Sequence, residues 1–171
     1  MKQNHHSSGL ALGLALGLLG ACSTLAPVDY KFNPDVHWAQ QKAFAWAPMK
    51  TPEIADERVD ATVLDGRIRA AVEADLAVKG LHKVASDAAD FLVGYTVGLE
   101  DRTYHGDALP RRWGDGPFEL SYEVGTLQIL LIDPDSKNTM WSGTYQSEIG
   151  TSTPGKHVAR AVSWVLEGFP P

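Results

Sequence analysis

Apolar residues recur along this chain in two periods, and the periods predict its elements. Val28, Tyr30 and Phe32 alternate with Asp29 and Lys31, the two-residue period of a half-buried strand. Asn33-Pro34 signals a turn, Asp35 to Gln41 suits one short helical turn, and Ala43 to Trp46 reads as a second strand stopped by Pro48. From Asp60 to Lys79 the period changes: Leu64, Ile68, Val72 and Leu76 stand four apart, which puts them on one stripe of a helix. Asp60 or Thr62 suits its N-cap, Thr62 with Asp65 as a loose capping box, and Gly80 suits a left-handed C-terminal stop.

The two-residue period then returns. Phe91, Val93, Tyr95, Val97 and Leu99 form a bulky face, and Leu92, Gly94, Thr96 and Gly98 a slim one that is expected to lie under a close neighbour, such as the helix. Thr126 to Ile132 is nearly all apolar and predicts a strand buried on both sides. Asp133-Pro134-Asp135-Ser136 is a turn, after which Thr139 to Ile149 returns as the hairpin partner. Beyond Pro154, Val158, Ala161, Val162, Val165 and Leu166 mark a second amphipathic helix closing at Gly168. The expected fold is α+β: a single small domain over residues 28–171, with a mainly antiparallel sheet packed against two helices.

Residues 1–27 do not fit this pattern. The uninterrupted small and apolar run from Gly9 to Ala21 is too short for a bilayer span of about 20 residues, yet it has the length of a secretory signal core behind Lys2. It ends in Leu19-Gly20-Ala21-Cys22, which resembles the lipobox of bacterial lipoproteins. That resemblance implies a signal peptide over residues 1–21, cleavage before Cys22, lipid on its sulfur and a lipidated tether over residues 22–27. Cys22 is the sole cysteine of the chain, so neither an intrachain disulfide nor a thiolate zinc cage is available. Ser23 at the next position is similar to lipoproteins sent to the outer membrane.

Charge and motif content narrow the chemistry. Fifteen Lys and Arg face 21 Asp and Glu, for a formal charge of −6. No stretch gathers the basic residues, so nucleic acid is excluded as an expected partner. Beyond the expected signal peptide, which carries His5 and His6, His37, His82, His105 and His157 are scattered singly, without the spacing that puts two imidazoles on one metal. No nucleophile elbow, phosphate-cradling loop or dinucleotide fingerprint occurs, so no catalytic residue, metal or cofactor is assigned. Between the strands near Leu99 and Leu120 lies a stretch rich in Gly, Pro, Asp and Arg, read as a loop of about 18 residues, longer than a compact domain ordinarily needs. Arg102, Tyr104, His105, Arg111, Arg112 and Trp113 are its candidate binding residues, since arginine and aromatic side chains stack on sugars and grip anions. A solvated loop folded over the sheet edge accounts for the same residues.

In order along the chain, Phe44-Ala45-Trp46, Lys79-Gly80-Leu81, Ala89-Asp90-Phe91-Leu92-Val93, Gly125-Thr126-Leu127, Trp141-Ser142-Gly143 and the last helix with Phe169-Pro170 resemble a bacterial lipoprotein family, the domain of unknown function 4136. The resemblance implies a small α+β periplasmic domain and supplies no catalytic residues. The expected function is a non-enzymatic binding or scaffold module of the cell envelope, held on the outer membrane facing the periplasm by lipid on Cys22. Its partner would be an envelope protein or a glycan. An envelope-polymer hydrolase using His105, or a lipid carrier, is the alternative.

Overall fold

The computed structural model describes residues 28–48, 59–106, 118–149 and 157–169. The elements run β1 (Val28–Phe32), a 3-10 turn (Trp38–Gln40), β2 (Ala43–Trp46), α1 (Ala61–Val78), β3 (His82–Lys83), β4 (Phe91–Gly106), β5 (Phe118–Ile132), β6 (Thr139–Ile149) and α2 (Val158–Glu167). The strands form one sheet in the order β1-β6-β5-β4-β2-β3.

α1 forms where the four-residue stripe predicts it, and both of its ends are chemically defined. The Asp60 carboxylate accepts from the backbone N–H groups of Thr62 and Val63 at 2.9 and 3.0 Å, which occupies two otherwise unpaired donors. At the other end Gly80 takes φ 82°, Leu81 N–H donates to Leu76 O and Gly80 N–H to Ala77 O, each at 3.0 Å. This pair of bonds is a Schellman stop, completed by burial of Leu81 with Leu76. Asp65 has no capping role; its carboxylate is engaged elsewhere.

Leu64, Ile68, Val72 and Leu76 of α1 and Val162, Val165 and Leu166 of α2 pack on Phe44, Phe91, Val93, Tyr95, Leu127, Ile129, Leu131 and Trp141 of the sheet. Both helices thus lie on the bulky face of β4. The slim face, expected beneath a helix, is turned away from both, and Thr96 and Gly98 on it are exposed. β5 is likewise half-buried rather than buried on both sides: Leu127, Ile129 and Leu131 are buried, while Thr126, Gln128, Leu130 and Ile132 keep some exposure. With helices on one face only, alternate residues of each strand have no layer above them.

The sheet corrects a further expectation, since it is mixed rather than mainly antiparallel. β1 with β6, β6 with β5 and β5 with β4 are antiparallel, but β2 pairs in parallel with both β4 and β3. The cause is the connection. α1 crosses over between β2 and β4, and a strand-helix-strand crossover returns its second strand in the direction of the first. Asp90 closes this unit by accepting from the Lys42 and Ala43 N–H groups at 2.8 Å each, and those two bonds hold its carboxyl below the usual range.

Candidate functional site

β4 and β5 are 16 and 15 residues long, while β6 has 11 and its pairing with β5 ends at Glu123 opposite Ile149. From Arg102↔Tyr122 to Gly106↔Phe118 the two strands pair with each other alone among the described residues. At about 3.3 Å per residue, this ribbon projects roughly 16 Å past the sheet. Of the loop expected between Leu99 and Leu120, residues 100–106 and 118–119 are strand, and residues 107–117 lie outside the described residues. Arg102, Tyr104 and His105 belong to this arm, and Arg111, Arg112 and Trp113 lie outside the described residues, as does Cys22.

Alternation gives the arm two unlike faces. Arg102 and Tyr104 stand opposite Tyr122 and Leu120, while Thr103 and His105 stand opposite Ser121 and Glu119. Tyr104 is 55% exposed and Leu120 57%. Arg102 donates to Glu100 Oε2 through Nε at 3.1 Å and Nη2 at 2.9 Å, which lays its guanidinium along the same face. On the reverse, His105 Nδ1 lies 3.1 Å from Glu119 Oε1, with side chains 69% and 72% exposed. The candidate residues within the described arm therefore divide, Arg102 and Tyr104 to the aromatic face and His105 to the polar one.

A second cluster joins α1 to the sheet. Asp65, Arg69 and Glu73 stand four apart on the helix, and Trp46 and Tyr95 rise toward them from β2 and β4. Tyr95 O–H donates to Asp65 Oδ1, and Arg69 Nε donates to both oxygens of Asp65 at 2.8 and 3.0 Å. The Arg69 guanidinium sits 4.4 Å from the centre of the Trp46 ring, while Trp46 Nε1 donates to Glu73 Oε1 at 2.8 Å. Lys83 Nζ meets the same oxygen at 2.7 Å. Burial raises the Asp65 carboxyl, but Tyr95 and Arg69 outweigh it and the net shift is downward. Glu73 follows the same logic: burial raises it, and Lys83, Trp46 and Arg69 bring it below the ordinary range. Burial, followed by the Asp65 carboxylate, raises the Tyr95 phenol well above its usual range. These groups satisfy one another, so the cluster reads as a fastening between helix and sheet. The four-residue spacing of Asp65, Arg69 and Glu73 is the sequence signal that would have found it.

The fastening has a pH signature. Both carboxyls are lowered in the folded state, so their contribution is present above the unfolded values, 3.8 for Asp65 and 4.5 for Glu73, and is lost as pH falls through the folded ones. The melting temperature is expected to drop as pH is taken below this range, and Asp65→Asn should flatten the drop. Thermal melts of both proteins from neutral to acid pH check this, and identical acid limbs would contradict it.

Among the described residues no group of three His, Cys, Asp or Glu side chains is placed to hold a metal ion, and no helix is long and apolar enough to cross a membrane. No curated protein matches the chain significantly. A crystal structure of a PDZ domain protein from Parabacteroides distasonis is similar, with 16% identity, a TM-score of 0.58 and 85% of this chain covered. This chain spans 35% of the length of that one. A PelC dodecamer structure from Paraburkholderia phytofirmans matches with 18% identity and a TM-score of 0.48, covering 82% of this chain and 94% of that one. For a neuraminyllactose-binding hemagglutinin homolog from Helicobacter pylori the values are 10%, 0.42, 75% and 83%. At these identities the first likeness speaks to the fold alone. The family model for the domain of unknown function DUF4136 matches residues 28–171, and the chain belongs to that family.

Proposed function

We propose that the protein is a lipid-anchored module of the bacterial envelope that binds a protein partner through the aromatic face of the β4–β5 arm and catalyses no reaction. The arm carries this reading. A two-stranded ribbon is only marginally stable by itself, and this one keeps Tyr104 and Leu120 more than half exposed beside Arg102 and Tyr122. Tyrosine and arginine are the side chains that interfaces favour, because each offers a broad apolar body with a polar end. The anchor fits the arm's position. β1 runs antiparallel to β6, so its first residue, Val28, points to the end of the sheet from which the arm projects. Residues 22–27 allow at most about 20 Å of tether, so the arm works close to the surface that holds Cys22. With Ser23 following Cys22, that surface is the periplasmic leaflet of the outer membrane.

The His105–Glu119 contact is the feature an envelope hydrolase would use. A general base works where water is excluded and substrate is held. This pair stands on an open ribbon, which favours binding over catalysis.

Tyr104→Ala combined with Leu120→Ser is expected to reduce the recovery of membrane-associated partners after reversible crosslinking by about ten-fold, the result of losing two interface anchors at roughly 1 kcal/mol or more each. The melting temperature should stay within a few degrees, since neither side chain belongs to the core. Unchanged recovery would remove the arm from the account.

A further inference from the structure

At the opposite end of the sheet from the arm, where β2 begins and both helices finish, Trp38, Gln41, Lys42, Lys79, Leu81, Glu167 and Phe169 enclose a groove of about 460 Å³. We propose that this groove binds an acidic saccharide, a sugar ring that carries one carboxylate. The inference is independent of the arm, because no residue is shared and the two features lie at opposite ends of β4.

The size is that of a small-molecule site. Trp38 and Phe169 form one wall, edge to face with ring centres 5.4 Å apart, and Leu81 extends it. This apolar surface suits the carbon-bound hydrogens on the face of a sugar ring. Two buried polar atoms of the lining residues have no hydrogen-bond partner among the described residues: Trp38 Nε1, a donor, and Gln41 Oε1, an acceptor. Unsatisfied buried groups of this kind call for an explanation. A hydroxyl group carries both complements, since its oxygen can accept from an indole N–H and its proton can be donated to an amide oxygen. Both side chains are only half-buried as wholes.

The charges select the acid. Neither Lys42 nor Lys79 has a carboxylate partner among the described residues, and Lys79 Nζ sits 6.0 Å from the centre of the Phe169 ring. Among the lining side chains, two ammonium groups against the Glu167 carboxylate leave one positive charge, which matches a single carboxylate better than a dianion. Glu167 can accept from a further hydroxyl. A fatty acid would satisfy the lysines and the aromatic wall but would leave Trp38 Nε1 and Gln41 Oε1 unpaired.

The test is a titration of the intact protein with sodium D-glucuronate, followed at the Trp38 indole N–H resonance, with D-glucose, acetate and inorganic phosphate as parallel probes. The proposal expects a saturable shift with glucuronate and affinities at least about ten-fold weaker for each other probe. Lys79→Met should weaken glucuronate by about ten-fold through loss of the charge-assisted bond, with Lys42→Met as the second variant should the first not fold. No saturable shift, phosphate or acetate matching glucuronate, or full affinity in a folded lysine variant would overturn it.

Discussion

Trp141→Ala is expected to destabilise the domain by about 3–5 kcal/mol, the range for emptying a buried aromatic site, out of a total of roughly 5–15 kcal/mol. Trp141 is 1% exposed and lies on the core-facing side of β6. Its ring meets Phe169 edge-on at 5.9 Å and Tyr30 at the same distance, and so joins β6 to β1 and to the chain just past α2. The surrounding backbone is already fitted to it. A Cβ on Gly143 would fall 2.8 Å from Trp141 Cη2 and 2.8 Å from Val165 Cγ1, so glycine is what lets the indole and α2 close on this strand. A void left there adds its cost to the lost transfer energy. Urea unfolding of the purified domain measures the difference. Trp141→Phe, which keeps a ring in place, should lose less than half as much. A loss under about 1 kcal/mol for alanine would show that the site collapses freely, against the packing described.

Cys22→Ala is expected to move the protein from the membrane fraction to the soluble fraction and to abolish palmitate incorporation. Each buried methylene contributes about 0.8 kcal/mol, so two long acyl chains at the proposed site would hold a folded body durably, and their loss would release it. No helix among the described residues replaces them, since none is long and apolar enough to span a bilayer. The variant should melt like the parent, because Cys22 precedes the first strand. Fractionation of labelled cells gives both readings, and retained label or retained membrane association would contradict the anchor.

The parts of the fold legible in the sequence are those where one period dominates. Leu64, Ile68, Val72 and Leu76 announce α1, and Phe91, Val93 and Tyr95 announce the core face of β4, because burial on one side leaves an unbroken repeat. The direction of β2 was not legible in this way: Ala43–Trp46 has the same alternation whether its neighbour runs parallel or antiparallel, and only the crossover through α1 decides. The arm reads as loop for a related reason. From Glu100 to His105 neither face is buried, so no contrast between apolar and polar positions marks a strand, and charged residues followed by glycine read as loop. Its pairing comes from β5, across residues whose own pattern is equally mixed. Of the candidate site, Arg102 and Tyr104 were legible as binding chemistry, whereas Leu120 and Tyr122 join them only through register. The groove beside Trp38 was illegible altogether, as its lining comes from the 3-10 turn and the ends of two helices, which the sequence does not bring together.

The central claim, that the anchored body works by contact through the exposed face of its arm, is tested most directly by photocrosslinking in living cells. A photoreactive residue at position 120 is compared with one at Val63, an exposed site on α1. The account predicts a discrete protein adduct from position 120 that disappears with Tyr104→Ala and is absent from position 63. No adduct from position 120, or the same adducts from both positions, would contradict it.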